Sequence, residues 1–266
     1  MSQPFSLAAI FINKYRAIKK IIKPLLIVGV SYNYVELSKE SLSRESNRLI
    51  DAWKSKKIPQ LQRKLVDAQL KKYSNGDKVE VFDVLVNVVG GCLSGVSARS
   101  LLEIGCSSGY YSEVFVIAGL DVNYVGCDYS EEFIHLAMDR YSGIKFDVQD
   151  ATALAYKDAS FDIVVSGCCL LHIPDYLTAI LEAIRVSRDY VILHRTPILS
   201  KRSTTYYKKI AYGVESIEIH FNEKEIIEFC LSNGLVLMDT KIIGQDLIME
   251  GDAGFSGTRT FLFKKI

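Results

Sequence analysis

Carboxylates and glycines stand where short apolar runs of this chain end, which is where a parallel sheet presents its ligand-binding edge. Glu103 precedes Gly105 by two positions, and Gly109 closes a turn of small residues that leads into a helical pattern. Asp128 ends the next apolar run, and Asp150 follows the one after it. Such a turn brings backbone N–H groups close to a ligand, and a carboxylate beyond the second strand can accept hydrogen bonds from both hydroxyls of a ribose. These residues predict a nucleoside-binding site.

The residues after Gly105 decide between two kinds of nucleoside ligand. A dinucleotide site has the pattern G-x-G-x-x-G, whereas this turn reads G-C-S-S-G-Y and lacks the second and third glycines. The carboxylate of Glu103 would also repel a pyrophosphate, while it suits a ligand that carries ammonium and sulfonium charges. The turn therefore favours S-adenosylmethionine over NAD.

Three further residues follow predicted strands on the same side of the sheet and could act on an acceptor molecule. His172 and His194 are candidate bases for a hydroxyl acceptor, because imidazole takes up a proton near neutral pH. A structural histidine satisfied by its neighbours is the alternative for His172. Arg195 follows His194 directly, and this pair could grip a carboxylate, a phosphate or a uronic acid. The alternative for Arg195 is an ion pair with an acid of the N-terminal helices.

The elements that must position these residues alternate between strand and helix from residue 100 onward. The patterns predict strands at 100–104, 122–127, 144–148, 161–166, 190–194, 235–243 and 258–263, and helices at 110–118, 130–141, 175–187 and 223–233. Strands that alternate with helices are typical of a parallel sheet with right-handed crossovers. We therefore expect an α/β fold with a Rossmann-like, seven-stranded, mostly parallel sheet and helices on both faces.

The chain divides into a helical lead-in and a main domain. Residues 1–95 are predicted as an N-terminal helical extension, in which Pro59 splits the helical pattern of residues 37–70. The apolar segment 79–93 is predicted as a helix, with a strand as the alternative because it is rich in β-branched residues. Residues 96–266 are predicted as the main domain, with an insertion at about 197–221. The insertion holds several tyrosines, which could stack on a sugar ring or simply serve as packing residues.

Composition narrows the classes of partner. The 266 residues carry a net charge of +1, so we expect no nucleic-acid partner. The six cysteines show no C-x-x-C and no paired spacing, which favours reduced thiols, a cytoplasmic location and no metal site.

We expect no secretory signal and no transmembrane segment. The basic stretch 5–27 is predicted to be a helix packed on the main domain, with peripheral contact to an anionic membrane as the alternative. The sequence makes no prediction of oligomeric state.

Four ordered segments resemble the motifs of class I S-adenosylmethionine-dependent methyltransferases. L-L-E-I-G-C-S-S-G-Y-Y is similar to the first motif of that family, usually E-x-G-x-G-x-G, with Ser107 in place of the middle glycine. Y-V-G-C-D-Y-S is similar to the second motif. F-D-V-Q-D-A-T-A-L and F-D-I-V-V-S-G-C-C-L-L-H-I-P-D are similar to the third and fourth. The likeness covers residues 100–194 closely and the segment 235–263 more loosely.

The resemblance implies roles for the residues that would contact methionine and ribose. Glu103 would orient the loop and the methionine amino group. Gly105, Cys106 and Gly109 would line the methionine and the ribose. Asp128 would hold the two ribose hydroxyls.

The resemblance also implies roles on the adenine and methyl sides. Tyr129 would lie against the adenine face, Asp150 would accept from the adenine amino group, and the backbone N–H of Ala151 would meet a ring nitrogen. Gly167 and Cys168 would lie beneath the reacting methyl group.

The expected function is methyl transfer by in-line displacement from S-adenosylmethionine to a small molecule or glycan precursor, at oxygen. Methylation of RNA or protein is an alternative, although the near-neutral charge counts against RNA and no N-P-P-Y type fourth motif points to an amino acceptor. A non-catalytic subunit that binds S-adenosylmethionine is another. The intact acids at the three strand ends count against such a degenerate site, and the missing glycines count against an NAD-dependent oxidoreductase.

Overall fold

Strands and helices alternate along most of the chain. The computed structural model describes residues 31–93, 99–249 and 254–266. The strands of these residues are β1 (Tyr32–Glu36), β2 (Arg99–Ile104), β3 (Val122–Asp128), β4 (Lys145–Val148), β5 (Phe161–Gly167), β6 (Ser187–Leu199), β7 (Thr205–Ala211), β8 (Val214–Asn222), β9 (Leu235–Ile248) and β10 (Phe255–Lys265). The helices are α1 (Lys39–Asp51), α2 (Ile58–Ser74), α3 (Glu80–Cys92), α4 (Tyr110–Ile117), α5 (Glu131–Arg140), α6 (Tyr176–Val186) and α7 (Glu223–Ser232).

Seven of these strands form the central part of the sheet, in the order β4-β3-β2-β5-β6-β10-β9. The first five run parallel to one another, and β10 lies antiparallel between β6 and β9. This arrangement confirms the predicted α/β fold with a Rossmann-like, mostly parallel sheet.

The middle strands read as continuous apolar runs because both of their faces are buried. Leu102 in β2, Val164 in β5 and Val191 in β6 have no exposed surface. One face of the sheet packs against α6 and α7, and the other packs against α3 and α4. The helices on both faces therefore agree with the prediction from sequence.

The predicted insertion is an extension of the sheet, so the seven strands expected from sequence are too few. β7 and β8 form an antiparallel hairpin, β1 pairs with β7, and the end of β6 pairs with β8. We call β1, β7 and β8 the cap sheet. The hairpin turns at Tyr212 and Gly213, which both have positive φ as a tight two-residue hairpin requires.

The N-terminal part of the described chain is helical except for β1. Pro59 lies at the start of α2, where proline is tolerated, and it separates α2 from the 3-10 turn Ala52–Lys54 that follows α1. The segment 79–93 contains α3, so the helix rather than the alternative strand is correct there. The basic stretch 5–27 and the proposed domain boundary near residue 95 lie outside the described residues.

Two features are absent from the described residues, a membrane-spanning helix and a metal-binding cluster. No helix among them is long and apolar enough to cross a membrane. They also contain no cluster of three or more His, Cys, Asp or Glu side chains with the geometry to hold a metal ion.

Candidate active site

A cavity of about 710 Å³ opens at the carboxyl ends of the parallel strands. It lies where the strand order reverses, since β2 continues to β3 on one side and borders β5 on the other. Its remaining walls come from α1, α2 and the cap sheet. The volume falls in the range of small-molecule and cofactor sites, roughly 300–1,000 Å³.

The loop between β2 and α4 is held close to the cavity by its backbone conformation. Gly105 and Gly109 have φ of 72° and 71°, and a Cβ on Gly105 would lie 2.3 Å from the Cβ of Cys169. Ser107 also has a positive φ, 54°, at the position where the resembling family has glycine. Its hydroxyl contacts the side-chain oxygen of Gln62 on α2. Ser107 therefore adopts the left-handed backbone of a glycine and adds a tether to α2.

Asp128 ends β3 on the cavity wall, and its carboxylate is fixed by two backbone donors. Oδ2 accepts from the N–H of Ser107 at 2.9 Å, and Oδ1 accepts from the N–H of Ser130 at 3.0 Å. Burial raises the pKa of Asp128 to about 6, and these hydrogen bonds keep it from rising further. The next residue, Tyr129, donates its hydroxyl to the backbone carbonyl of Ile50 at 2.5 Å. This bond ties the end of β3 to α1.

The loop after β4 forms the neighbouring wall. Asp150 and Ala151 both line the cavity, as the sequence predicts. One carboxylate oxygen of Asp150 accepts from the N–H and the hydroxyl of Thr152, at 2.8 and 2.7 Å. Phe133 and Ile173 add apolar surface on this side.

Three residues expected to contact the ligand support the loop from behind instead. The Glu103 carboxyl is 2% exposed and accepts from the Tyr124 hydroxyl, beneath Gly167. Burial raises the pKa of Glu103 well above its usual range. Cys106 packs against Phe146 and helix α5, and a Cβ on Gly109 would lie 2.5 Å from the same ring. Glu103, Cys106 and Gly109 do not line the cavity because their positions face the interior of the sheet.

The end of β5 and the turn after it contribute Gly167, Cys168 and His172 to the cavity wall. The Nδ1 atom of His172 lies 2.7 Å from the carbonyl oxygen of Ile217. A carbonyl only accepts hydrogen bonds, so Nδ1 carries the proton and Nε2 carries the lone pair. Burial lowers the pKa of His172 to about 3, with a further contribution from the charge of Lys209. His172 is therefore neutral at neutral pH.

His194, the second candidate base, lies in the core and not at the cavity. It is 1% exposed, with Nε2 2.9 Å from the Tyr111 hydroxyl and Nδ1 2.8 Å from the Thr260 hydroxyl. Its position differs from the expectation because β6 continues five residues past it, to Leu199. Burial lowers the pKa of His194 to about 3. We therefore assign it a structural role.

Arg195 lines the cavity, as predicted. No carboxylate of the described residues lies within 4.0 Å of its guanidinium, so the alternative of an ion pair with the N-terminal helices is wrong for this part of the chain. Its φ of 56° is unusual for a residue other than glycine. Arg195 thus places at the cavity wall a charge that no carboxylate of the described residues compensates, while its side chain hydrogen-bonds Tyr111.

The sequence analysis missed a buried ion pair on the cap sheet. Lys209 on β7 contacts Glu218 on β8, their side chains are 5% and 10% exposed, and both line the cavity. Glu218 also contacts Nε2 of His220 at 2.9 Å and the Tyr34 hydroxyl at 3.1 Å. Burial would raise the pKa of Glu218, but His220 and Lys209 hold it at about 2.

The sequence analysis also missed Trp53. Its ring lies beside that of His172, with 4.5 Å between the two centroids.

Comparisons with known proteins agree with this geometry. Residues 102–193 match a family described as a methyltransferase domain. The chain is 35% identical over 81 residues to phosphoethanolamine N-methyltransferase 1 of Arabidopsis thaliana, over 29% of this chain and 16% of that protein. It is 32% identical over 119 residues to the O-methyltransferase rstn1 of Aspergillus nomiae, over 42% of this chain and 52% of that protein. Each match thus spans less than two thirds of the relative.

A solved structure shares the fold over most of the chain. The magnesium protoporphyrin IX methyltransferase of Synechocystis PCC 6803, with bound S-adenosylhomocysteine, superimposes with a TM-score of 0.53 at 14% identity. The match covers 84% of this chain and all of the other. The domain match, the sheet order and the position of the cavity lead to one conclusion. Residues 102–193 form a methyltransferase domain, and the chain around them has the Rossmann-like fold of S-adenosylmethionine-dependent methyltransferases.

Proposed function

We propose that the protein transfers a methyl group from S-adenosylmethionine to an oxygen atom of a small molecule or glycan precursor. One observation carries the proposal. A single cavity joins the carboxylates at the ends of β3 and β4 to a neutral histidine with an unprotonated Nε2. The carboxylates suit a nucleoside ligand, and the neutral histidine suits an acceptor hydroxyl that must lose its proton. The six unpaired cysteines support a cytoplasmic location.

The residues present fit the methyl donor. The Asp128 carboxylate is pre-oriented by two backbone N–H groups, which favours a second set of hydrogen bonds from ribose hydroxyls. Asp150 and Ala151 would hold the adenine edge, and Tyr129 would face the ring. When bound, S-adenosylmethionine supplies a sulfonium methyl group that needs no further activation.

The acceptor side of the cavity explains what the chain itself contributes. Walls from α1, α2 and the cap sheet enclose the acceptor, so that it is held in one orientation, an effect worth several kcal/mol in transfer reactions. His172 would accept the hydroxyl proton of the acceptor at Nε2. Its pKa of about 3 makes it a weak base in the free protein, so this role requires the bound ligands to raise that pKa. The relatives include both N- and O-methyltransferases, so the choice of oxygen rests on His172.

The enclosed site supports a small acceptor over a polymer. RNA would need a basic groove, and the chain carries a net charge of only +1. A protein acceptor would need an open groove for an extended segment, whereas residues of the cap sheet and α1 contribute to the cavity wall. Methylation of RNA or protein is therefore the less favoured reading.

The direct test is calorimetric binding of S-adenosylhomocysteine to the full chain. Asp128→Ala should weaken binding by the value of a hydrogen bond to a charged group, about 1.5–3 kcal/mol, or roughly 10- to 150-fold. The matched control is Asp121→Ala, which removes an exposed carboxylate immediately before β3, the strand that ends at Asp128. Folded protein that does not bind the ligand would contradict the proposal.

The acceptor is sought by screening release of S-adenosylhomocysteine with fractionated metabolites and sugar nucleotides. Mass spectrometry of the product identifies the methylated atom. His172→Gln should lower kcat by about 10²–10⁴-fold without changing the affinity for S-adenosylhomocysteine. Binding without turnover on any fraction would favour a non-catalytic subunit instead.

A further inference from the structure

We propose that the acceptor carries an anionic oxygen group, a carboxylate or a phosphate, that binds the guanidinium of Arg195. This inference rests on the proposed function, because it names the chemical class of the acceptor. It does not depend on which atom of the acceptor is methylated.

The two ends of the cavity carry opposite charge. β3 and β4 lie on one side of β2, and their ends supply Asp128 and Asp150. β6 and the cap sheet lie on the other side of β5, and they supply Arg195 and Lys209. A cationic methyl donor suits the acidic end, so the basic end is left for the acceptor.

Of the two basic groups, Arg195 is the one available to a ligand. Lys209 is compensated by Glu218, which is held ionised in the same buried cluster. Arg195 has no carboxylate partner within the described parts of the chain; its guanidinium hydrogen-bonds the side chain of Tyr111 and lies near Tyr110 and Cys168, which leaves other N–H donors of the fork for a ligand. Removing even part of a guanidinium from water without a carboxylate partner is costly in a protein, and a bound anionic ligand would offset that cost.

A bulge in β6 directs Arg195 toward the cavity. Leu193 pairs with Phe261 and Thr196 pairs with Arg259, so His194 and Arg195 together face only one residue of β10. The extra residue takes a left-handed φ, and the hydrogen bonds of the His194 ring to Tyr111 and Thr260 hold the bulge in place. Bulges of this kind re-aim side chains beside active sites.

The neighbours of Arg195 indicate the rest of the acceptor. The planar fork of a guanidinium matches the paired oxygens of a carboxylate or a phosphate. Trp53 lines the same cavity, with its ring 4.5 Å from that of His172 and 6.0 Å from that of Tyr212. The acceptor we infer thus joins an anionic group to a flat or apolar body.

An anion at Arg195 would also act on His172. The positive charges of Lys209 and Arg195 are among the causes that lower the pKa of His172, after burial. A bound anion offsets the charge of Arg195 and so makes Nε2 a better proton acceptor. An anionic acceptor would therefore improve the base that serves it.

The test uses Trp53, the single tryptophan of the chain, as a fluorescent reporter of the acceptor end. The full chain, saturated with S-adenosylhomocysteine, is titrated with 4-hydroxybenzoate, phenyl phosphate and the neutral 4-hydroxybenzamide. We expect at least one anion to bind ten or more times tighter than the amide. Arg195→Met should abolish that preference, and Arg195→Lys should retain part of it. The control Arg44→Met removes an exposed arginine and should change nothing.

The outcomes separate the inference from the proposed function. Equal affinities for anion and amide, an unchanged preference in Arg195→Met, or no response of Trp53 to any probe would overturn the inference. Affinity for S-adenosylhomocysteine is measured in parallel, and its absence in the unmodified chain would overturn the proposed function instead. If near-ultraviolet circular dichroism shows that Arg195→Met does not fold, the preference for anion over amide is compared between the unmodified chain and the variants Arg195→Lys and Arg195→Gln. The tighter of the two anions identifies the carboxylate or the phosphate as the acceptor group.

Discussion

At the scale of single residues, Asp128 links ligand binding to pH. Its pKa of about 6 lies above the usual value because of burial. In the free protein its contribution to stability is therefore full below the unfolded value of 3.8 and is lost as the pH rises through about 6. A ligand whose hydroxyls donate hydrogen bonds to the carboxylate favours the ionised form of Asp128. Ligand binding therefore offsets this loss of stability.

The first prediction follows from that linkage. The affinity for S-adenosylhomocysteine should fall as the pH is lowered through about 6, by up to tenfold per pH unit, because the protonated acid is a poorer acceptor. Calorimetry on both sides of that pH measures the effect, and Asp128→Asn should give weak binding with a flat profile. His172 and His194, with pKa values of about 3, do not titrate in this range.

Titration of Glu103 could produce a similar pH dependence of binding, since burial raises the pKa of Glu103 as well. The variant Glu103→Gln keeps Asp128 intact and should keep the pH dependence. A profile that survives in Asp128→Asn and disappears in Glu103→Gln would assign the titration to Glu103.

Because they follow strands, most of the site residues predicted from sequence do lie at the cavity. Asp128, Asp150, His172 and Arg195 all line the cavity, although their roles toward ligands stay predictions. His194 was misplaced for a physical reason. The apolar run ends there in the sequence, but pairing with β10 carries the strand through Pro197 to Leu199, and that partner is distant in sequence.

At the scale of elements, the loop between β2 and α4 depends on two different properties of Gly105. Its φ of 72° disfavours a side chain, and a Cβ would collide with Cys169 at 2.3 Å. Gly119 has nearly the same φ, 69°, but nothing lies within 4 Å of an added Cβ. The two positions therefore separate backbone strain from crowding.

The second prediction compares alanine at these two glycines. Gly119→Ala should reduce the free energy of unfolding by about 1–2 kcal/mol, the cost of a left-handed backbone with a side chain. Gly105→Ala should add a crowding cost of about 1–3 kcal/mol to that. Urea denaturation measures both. Equal losses would mean that Cys169 moves aside freely and that the loop is not close-packed.

The cap sheet shows what the sequence could and could not reveal about elements. Ile217, Ile219 and Phe221 alternate with polar residues, and Tyr212-Gly213 precedes them, so the hairpin had a readable pattern. β1 had none, because it is five residues long and pairs with a strand far along the chain. Short strands with distant partners are fixed by tertiary contacts rather than by local propensity.

At the scale of the whole molecule, the cavity is closed by segments that are far apart in sequence. α2 reaches the β2–α4 loop through Gln62 and Ser107, and α1 reaches the end of β3 through the carbonyl of Ile50 and Tyr129. The sequence predicts the helices but not these contacts, since no local pattern encodes which loop a helix will cover. α1 and α2 therefore lie over the part of the cavity that we assign to the methyl donor.

The third prediction tests whether α1 and α2 respond to the donor end of the cavity. At 100 times its Kd, S-adenosylhomocysteine should stabilise the chain by about 2.7 kcal/mol, which raises Tm by roughly 5–10 °C for a protein of this size. Hydrogen exchange should slow in α1 and α2 as well as in the β2–α4 loop, because Gln62 and Ile50 join these helices to residues of the donor site. Asp128→Asn should reduce both effects together. Stabilisation that leaves exchange in α1 and α2 unchanged would show that these helices cover the cavity without sensing its ligand.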